Sequence, residues 1–197
     1  MMMGKRFAKW MLSVTLLCLV ACGGLRYSHL DPAATEFHPK RIVIFPIDTG
    51  TYEEARIPME QIVPGVLAEK KWFSEITDPG SLHRQIAANE ELRKAMTDYL
   101  AKLQTLNYSD AALSRKIGEL TRSDAILLVS VDYWNYTVEK DKNLAKVSIG
   151  LKLIDVASGK IMWRAGHQLS ESYVLFKPEL AKVAQNVLRE MAAQMPH

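Results

Sequence analysis

The run "RIVIFPI", Arg41 to Ile47, is apolar at every position but Arg41 and Pro46, and Arg41 is followed by three consecutive β-branched residues. A strand with one wet face alternates apolar and polar side chains. A run without alternation predicts a strand buried on both faces, which must lie inside a packed sheet. Pro46, lacking an N–H, limits how far its ladder can run.

The rest of the chain supplies what such a strand needs. In "IPMEQIVPGVLAEKKWF" the positions Ile62, Val63, Val66 and Leu67 suit a helix, with Pro64 restricting where it can begin. Residues 72–77 read as a short strand before a turn at Asp78-Pro79-Gly80. Asn89 is placed to cap a helix whose first turn carries Glu90 and Glu91, and Leu92, Met96, Tyr99, Leu103 and Leu106 form one apolar face. A further helix starts near Ser109, with Leu113, Ile117 and Leu120 on its buried side.

At Asp124 the period changes. "DAILLVSVDYWNYTV" is strand-like throughout. In "KVSIGLKLIDV" the residues Val147, Ile149, Leu151 and Leu153 alternate with Lys146, Ser148, Gly150 and Lys152, the pattern of an antiparallel strand with one buried face. "ASGK" turns the chain into "IMWRAGHQL", and a helix from about Pro178 to Met195 closes it. These elements predict an α+β fold: one α/β sandwich domain over residues 40–197, whose mixed sheet has an antiparallel C-terminal half and is packed by helices.

The N-terminus is organised differently. Lys5, Arg6 and Lys9 precede an apolar run from Met11 to Val20, followed by the small residues Ala21, Cys22, Gly23 and Gly24. Basic, apolar, small is the order of a secretory signal peptide. A run of ten residues spans only about 15 Å as a helix, too short to cross a bilayer. Leu19-Val20-Ala21-Cys22 resembles the lipobox of bacterial lipoproteins, in which the cysteine sulfur is acylated and the chain is cut before it. Gly23 instead of Asp, by the same resemblance, implies sorting to the outer membrane. The expected organisation is a signal peptide over residues 1–21, lipidated Cys22 with a flexible tether over 22–39, and the periplasmic domain beyond.

Charge and cysteine counts agree with export. The chain holds 25 Lys+Arg and 22 Asp+Glu; residues 1–21 contain Lys5, Arg6, Lys9 and no acid, so the mature chain is formally neutral. Neutrality argues against a phosphate-binding surface and hence against nucleic acid as a partner. Of the two cysteines, Cys18 lies in the removed segment and Cys22 would be a thioether, leaving no thiol for catalysis or for a disulfide.

Three stretches, in order, carry a wider resemblance. "RIVIFPI", "KIGELTRSDAILLVSVDYW" and "VSIGLKLIDVASGKIMWRA" are similar to the opening strand, the helix-to-strand segment and the paired strands of a group of periplasmic domains. That group includes the curli-export lipoprotein, the Pel-type polysaccharide-export lipoprotein, the lipoprotein activators of penicillin-binding proteins and the N-terminal domain of TolB. Val129-Ser130 departs from it, standing where many relatives have glycine. The insertion at residues 78–110 reads as charged helix, without the alternating hairpins by which the curli-export lipoprotein builds a pore. The resemblance implies a non-enzymatic scaffold or accessory of an outer-membrane assembly or export system, on the periplasmic face, with envelope protein partners and self-association. It leaves as alternative a regulator that binds and activates a peptidoglycan synthase.

Chemistry-bearing motifs are sparse. His29, His38, His83, His167 and His197 have no metal-ligand spacing, and neither a nucleophile elbow nor a phosphate-cradling glycine loop is present. No cofactor, metal site or catalytic residue is expected. Besides Cys22, the candidate functional residues lie in "DYWNY". If Val129, Val131 and Tyr133 face the core, strict alternation puts Trp134 and Tyr136 together on the opposite face. There they would be either an exposed aromatic contact or core beneath a covering helix.

Overall fold

The computed structural model describes residues 25–106 and 109–197. Residues 1–24, with the expected signal segment and Cys22, lie outside the described residues. The elements run β1 (Tyr27–Leu30), β2 (Arg41–Ile44), α1 (Arg56–Lys70), β3 (Glu75–Thr77), α2 (Pro79–Ala88), α3 (Glu90–Leu106), α4 (Ala111–Thr121), β4 (Ala125–Glu139), β5 (Lys142–Asp155), β6 (Ile161–Tyr173) and α5 (Leu180–Ala192), with short 3-10 turns at Pro32–Glu36 and Glu53–Ala55. The fold is α+β, as expected.

All six strands form one mixed sheet in the order β1-β6-β5-β4-β2-β3. β2 runs parallel to both its neighbours, β3 and β4; β4, β5, β6 and β1 are successively antiparallel. Ile42 and Ile44 point to one face, Val43 and Phe45 to the other, and none is more than 1% exposed. On the Ile42 face lie α1, with Met59, Val63, Val66 and Leu67, and α5, with Val183, Val187, Leu188 and Met191. The Val43 face is covered by Leu82 of α2, Leu92, Met96 and Tyr99 of α3 and Ile117 of α4. Each such side chain taken from water stabilises the fold by about 1.5–3 kcal/mol, so a two-faced strand accumulates stabilisation from both layers.

Pro46 does break the β2 ladder. The chain rejoins β4 one step later, where Asp48 N–H donates to Val129 O and Val131 N–H donates to Asp48 O. The expected caps are present: the Asn89 side chain accepts from the N–H groups of Glu91 and Leu92, and Asp110 does the same for Ala112 and Leu113.

Three expectations are corrected. Residues 22–39 were expected to be a tether, yet from Tyr27 onward the chain is ordered: β1 pairs along β6 and the Pro32–Glu36 turn follows. Trp163 Nε1 donates to Ser28 Oγ at 3.0 Å, and Arg26 N–H donates to His167 Nδ1 at 3.3 Å, leaving Nε2–H to donate to Glu190 Oε2 at 2.8 Å. A four-residue edge strand with every residue exposed has no apolar period to betray it. Pro64 sits inside α1 instead of near its start; the buried Met59, Val63, Val66 and Leu67 outweigh the one lost hydrogen bond. Asp78-Pro79-Gly80 is the start of α2, capped by the Asp78 carboxylate on Ser81 N–H, not a free turn.

Asp124 ties the parallel and antiparallel halves together. Its carboxylate accepts from the backbone N–H groups of Lys40 and Arg41 and pairs with the Arg41 guanidinium at 2.7 Å. The Arg41 hydrogen bond, with the two backbone donors, holds its pKa below the ordinary carboxylate value against the opposing effect of burial. A carboxylate with a depressed folded pKa stabilises fully above its unfolded pKa of about 3.9 and loses that contribution as pH falls towards the folded value. Asp124→Asn is expected to lower unfolding free energy by about 1 kcal/mol at pH 7, since a third of the side chain is open to solvent (34%). In urea titrations the gap between variant and wild type should close below about pH 4; a gap independent of pH contradicts the assignment.

Candidate functional site

Alternation along β4 is interrupted by a β-bulge. Val131 is opposite Ile149 and Tyr133 is opposite Ser148, so Asp132 is the extra residue. One inserted residue moves every later side chain to the other face. Trp134 therefore joins Val129 and Val131 on the α5 side, opposite Val147 and 4% exposed. Of the two alternatives, Trp134 is therefore core and no interaction surface, on the face opposite to the one that strict alternation gives it, and Trp163 is core as well at 1% exposure.

Tyr136 shares that face but lies near its end, half-buried. Its hydroxyl donates to Pro178 O at 2.8 Å, its ring meets Tyr173 edge-on at 5.9 Å, and Lys177 Nζ lies 4.8 Å from the ring centre. Tyr136 braces both ends of the β6–α5 connection; it is not a free aromatic contact.

The α2–α4 layer covers only part of the Val43 face, and a cleft of about 590 Å³ opens where it stops. The floor follows from register. Ser130 of β4, Gly150 of β5, Gly166 of β6 and Tyr27 of β1 form one cross-strand row, so two adjacent strands present bare backbone. The Tyr27 ring lies over Gly166, where an added Cβ would come within 2.2 Å of it. A Cβ on Gly150 would come within 2.5 Å of Ser130 Oγ, which donates to Asp132 Oδ1. Leu100 and Leu103 of α3 form the opposite wall, with Asp48 and Lys152 at the rim. Tyr27 and the two glycines were not anticipated as a site. The signal lay in "VSIGLKL" and "WRAGHQL", where glycine occupies an outward-alternating position in each of two paired strands.

The cleft is a place to bind, lined mainly by apolar groups. Asp48 is held by Gly50 N–H, and no acid/base pair or nucleophile converges on the floor. Among the described residues, no group of three or more His, Cys, Asp or Glu could hold a metal ion. No helix of the described residues is long and apolar enough to cross a membrane.

Comparison with known proteins rests on structure. No protein-family model matches the chain, and no curated protein matches it in sequence. The fold is similar to that of PelC from Paraburkholderia phytofirmans, solved as a dodecamer: TM-score 0.53 at 14% identity, over 87% of this chain and 98% of that one. It is also similar to the hypothetical protein CT253 from Chlamydia trachomatis: TM-score 0.50, 10% identity, 78% and 94% coverage. The C-terminal domain of LpoB from Escherichia coli aligns at a TM-score of 0.37 with 13% identity, over 71% of this chain and 94% of that domain, too distant to carry an argument. At these identities the likeness is one of fold.

Truncating Trp134 separates a core role from a surface one. Trp134→Ala is expected to cost about 3–5 kcal/mol, the range for a buried aromatic, whereas Tyr136→Phe should cost about 1 kcal/mol through the lost hydrogen bond to Pro178. Chemical denaturation of the two variants decides it; a Trp134→Ala variant as stable as wild type would place the indole outside the core.

Proposed function

We propose that this chain is a lipid-anchored envelope protein, without catalytic activity, that serves as scaffold or accessory of an outer-membrane assembly or export system. The observation that carries the proposal is the conjunction of the Leu19-Val20-Ala21-Cys22 tetrad with a complete domain of the PelC fold starting five residues after Cys22. PelC forms a dodecamer, and a lipid-anchored domain confined to a plane reaches high effective concentration, so weak lateral contacts suffice for assembly. The neutral mature chain adds little repulsion between copies. The cleft beside α3 gives the domain an apolar binding surface for an envelope partner.

The ordered β1 weighs against a regulator of a peptidoglycan synthase. Five residues from Cys22 to Tyr27 reach at most about 17 Å. That length cannot carry the domain from the outer membrane through the wall to an inner-membrane enzyme.

Cell fractionation with crosslinking in intact membranes tests the proposal. The wild-type protein should fractionate with the outer membrane and crosslink to copies of itself or to a defined export component. Cys22→Ala should abolish outer-membrane retention, because two or more acyl chains are needed for stable anchoring. Equal outer-membrane retention of that variant, or a wild-type protein that crosslinks to nothing, contradicts the proposal.

A further inference from the structure

One end of the sheet is apolar and exposed. Among the described residues, four of the seven exposed large hydrophobic side chains are Val138, Val174, Leu175 and Phe176. The last three are consecutive, 84–89% exposed, and form the β6–α5 connection. Register brings Val138 to the same end, since Val138 is opposite Asn143 and Asn143 is opposite Tyr173. Three adjacent apolar side chains left in water gain nothing from burial within the domain, and an exposed apolar tip of this kind marks a contact.

The tip is held out by its base. Tyr136 grips Tyr173 on one side of it and Lys177 and Pro178 on the other, so the connection cannot fold its apolar residues back without losing those contacts. Beside it, β4 and β5 are joined by Lys140 and Asp141, both at positive φ (51° and 61°), the geometry of a tight two-residue hairpin turn. Lys140, Lys142 and Lys177 flank the apolar residues, with Asp141 as the one acid in the turn; Glu139 is paired with Lys146 and Glu179 with Lys182.

The direction of the chain identifies the occupant. β1 is antiparallel to β6, with Tyr27 opposite Gly166 and Arg26 bonded to His167, so the described chain, followed back through Arg26 to Leu25, runs in the direction of Tyr173. Cys22 lies three residues before Leu25 and cannot be more than about 11 Å from it. The chain thus enters the fold from the Tyr173 side of β1, the side of the apolar tip, while the β5–β6 turn at Ala157–Lys160 lies beyond the other end of β6.

We infer that Val174, Leu175 and Phe176 insert into the bilayer interface beside the lipid on Cys22, as a second anchor that stands the domain with its sheet end-on to the membrane. Apolar residues enter to the acyl boundary, while Lys140, Lys142 and Lys177 sit at headgroup level, where anionic lipid attracts them. The inference rests on the lipid-anchored reading above for the position of Cys22, but its contact is separate from the acyl group.

The test uses the full acylated chain with Leu175→Cys, or Ser158→Cys at the opposite end, labelled with an environment-sensitive fluorophore. Each protein is placed in vesicles of phosphatidylethanolamine and phosphatidylglycerol, with or without nitroxide-bearing lipid. Quenching of the probe at 175 should exceed that at 158 several-fold, with a blue-shifted emission. Equal quenching at the two sites overturns the inference. So does a probe at 175 already shielded without vesicles, which would assign the tip to a second copy or another protein. The mass of the N-terminal peptide reports acylation independently: an unacylated chain whose probe at 175 is still quenched refutes the lipid-anchored reading and keeps the membrane contact. A chain that binds no vesicles refutes both.

Discussion

Strand β2 has no solvent face, and the domain is arranged around that fact. Ile42 and Ile44 require a layer on one side and Val43 and Phe45 a layer on the other, so the sheet must be sandwiched where β2 runs. α1 and α5 supply one layer and α2, α3 and α4 the other. Both layers converge on the same four residues, which gives the packing a common centre. Asp124 fixes where the strand begins, and the Asp48 bridge recovers its pairing after Pro46. The second layer is shorter than the sheet, and the cleft follows from the mismatch: where α3 ends, the sheet continues as bare glycine backbone beneath the Tyr27 ring.

Much of this was legible from residues alone because burial on one or both faces leaves a period. The unbroken run at Arg41–Ile47, the alternation through Val147–Leu153 and the stripe Leu92-Met96-Tyr99 each report a neighbour that excludes water. What escaped were features that leave no period. β1 is an exposed edge held by backbone pairing and by Trp163 and His167, residues far away in sequence. The bulge at Asp132 changes the parity of β4 without any change in composition. Alternation counted through it assigned Trp134 and Tyr136 to the wrong face, although it correctly kept the two together.

That single parity change links core to surface. It turns Trp134 inward to pack opposite Val147, and it sets Tyr136 where its hydroxyl and ring hold the β6–α5 connection. β1 has a matching consequence at the other edge of the sheet. By pairing with β6 it removes most of the expected tether and leaves only a few residues between Cys22 and the folded domain. The folded domain therefore begins within a few residues of Cys22, and its first strand runs in the direction that the antiparallel pairing with β6 sets.

That ordered edge underlies the argument about reach, the orientation of the domain and the wall of the cleft. Amide hydrogen exchange across residues 26–39 of the protein tests it most directly. The structure predicts protection within Tyr27–Asp31 comparable to that of the β6 partners Met162–Gly166, with Asp31 N–H bonded to Met162 O at 2.9 Å. Exchange at the rate of unstructured chain throughout the stretch would restore the flexible tether and contradict the account.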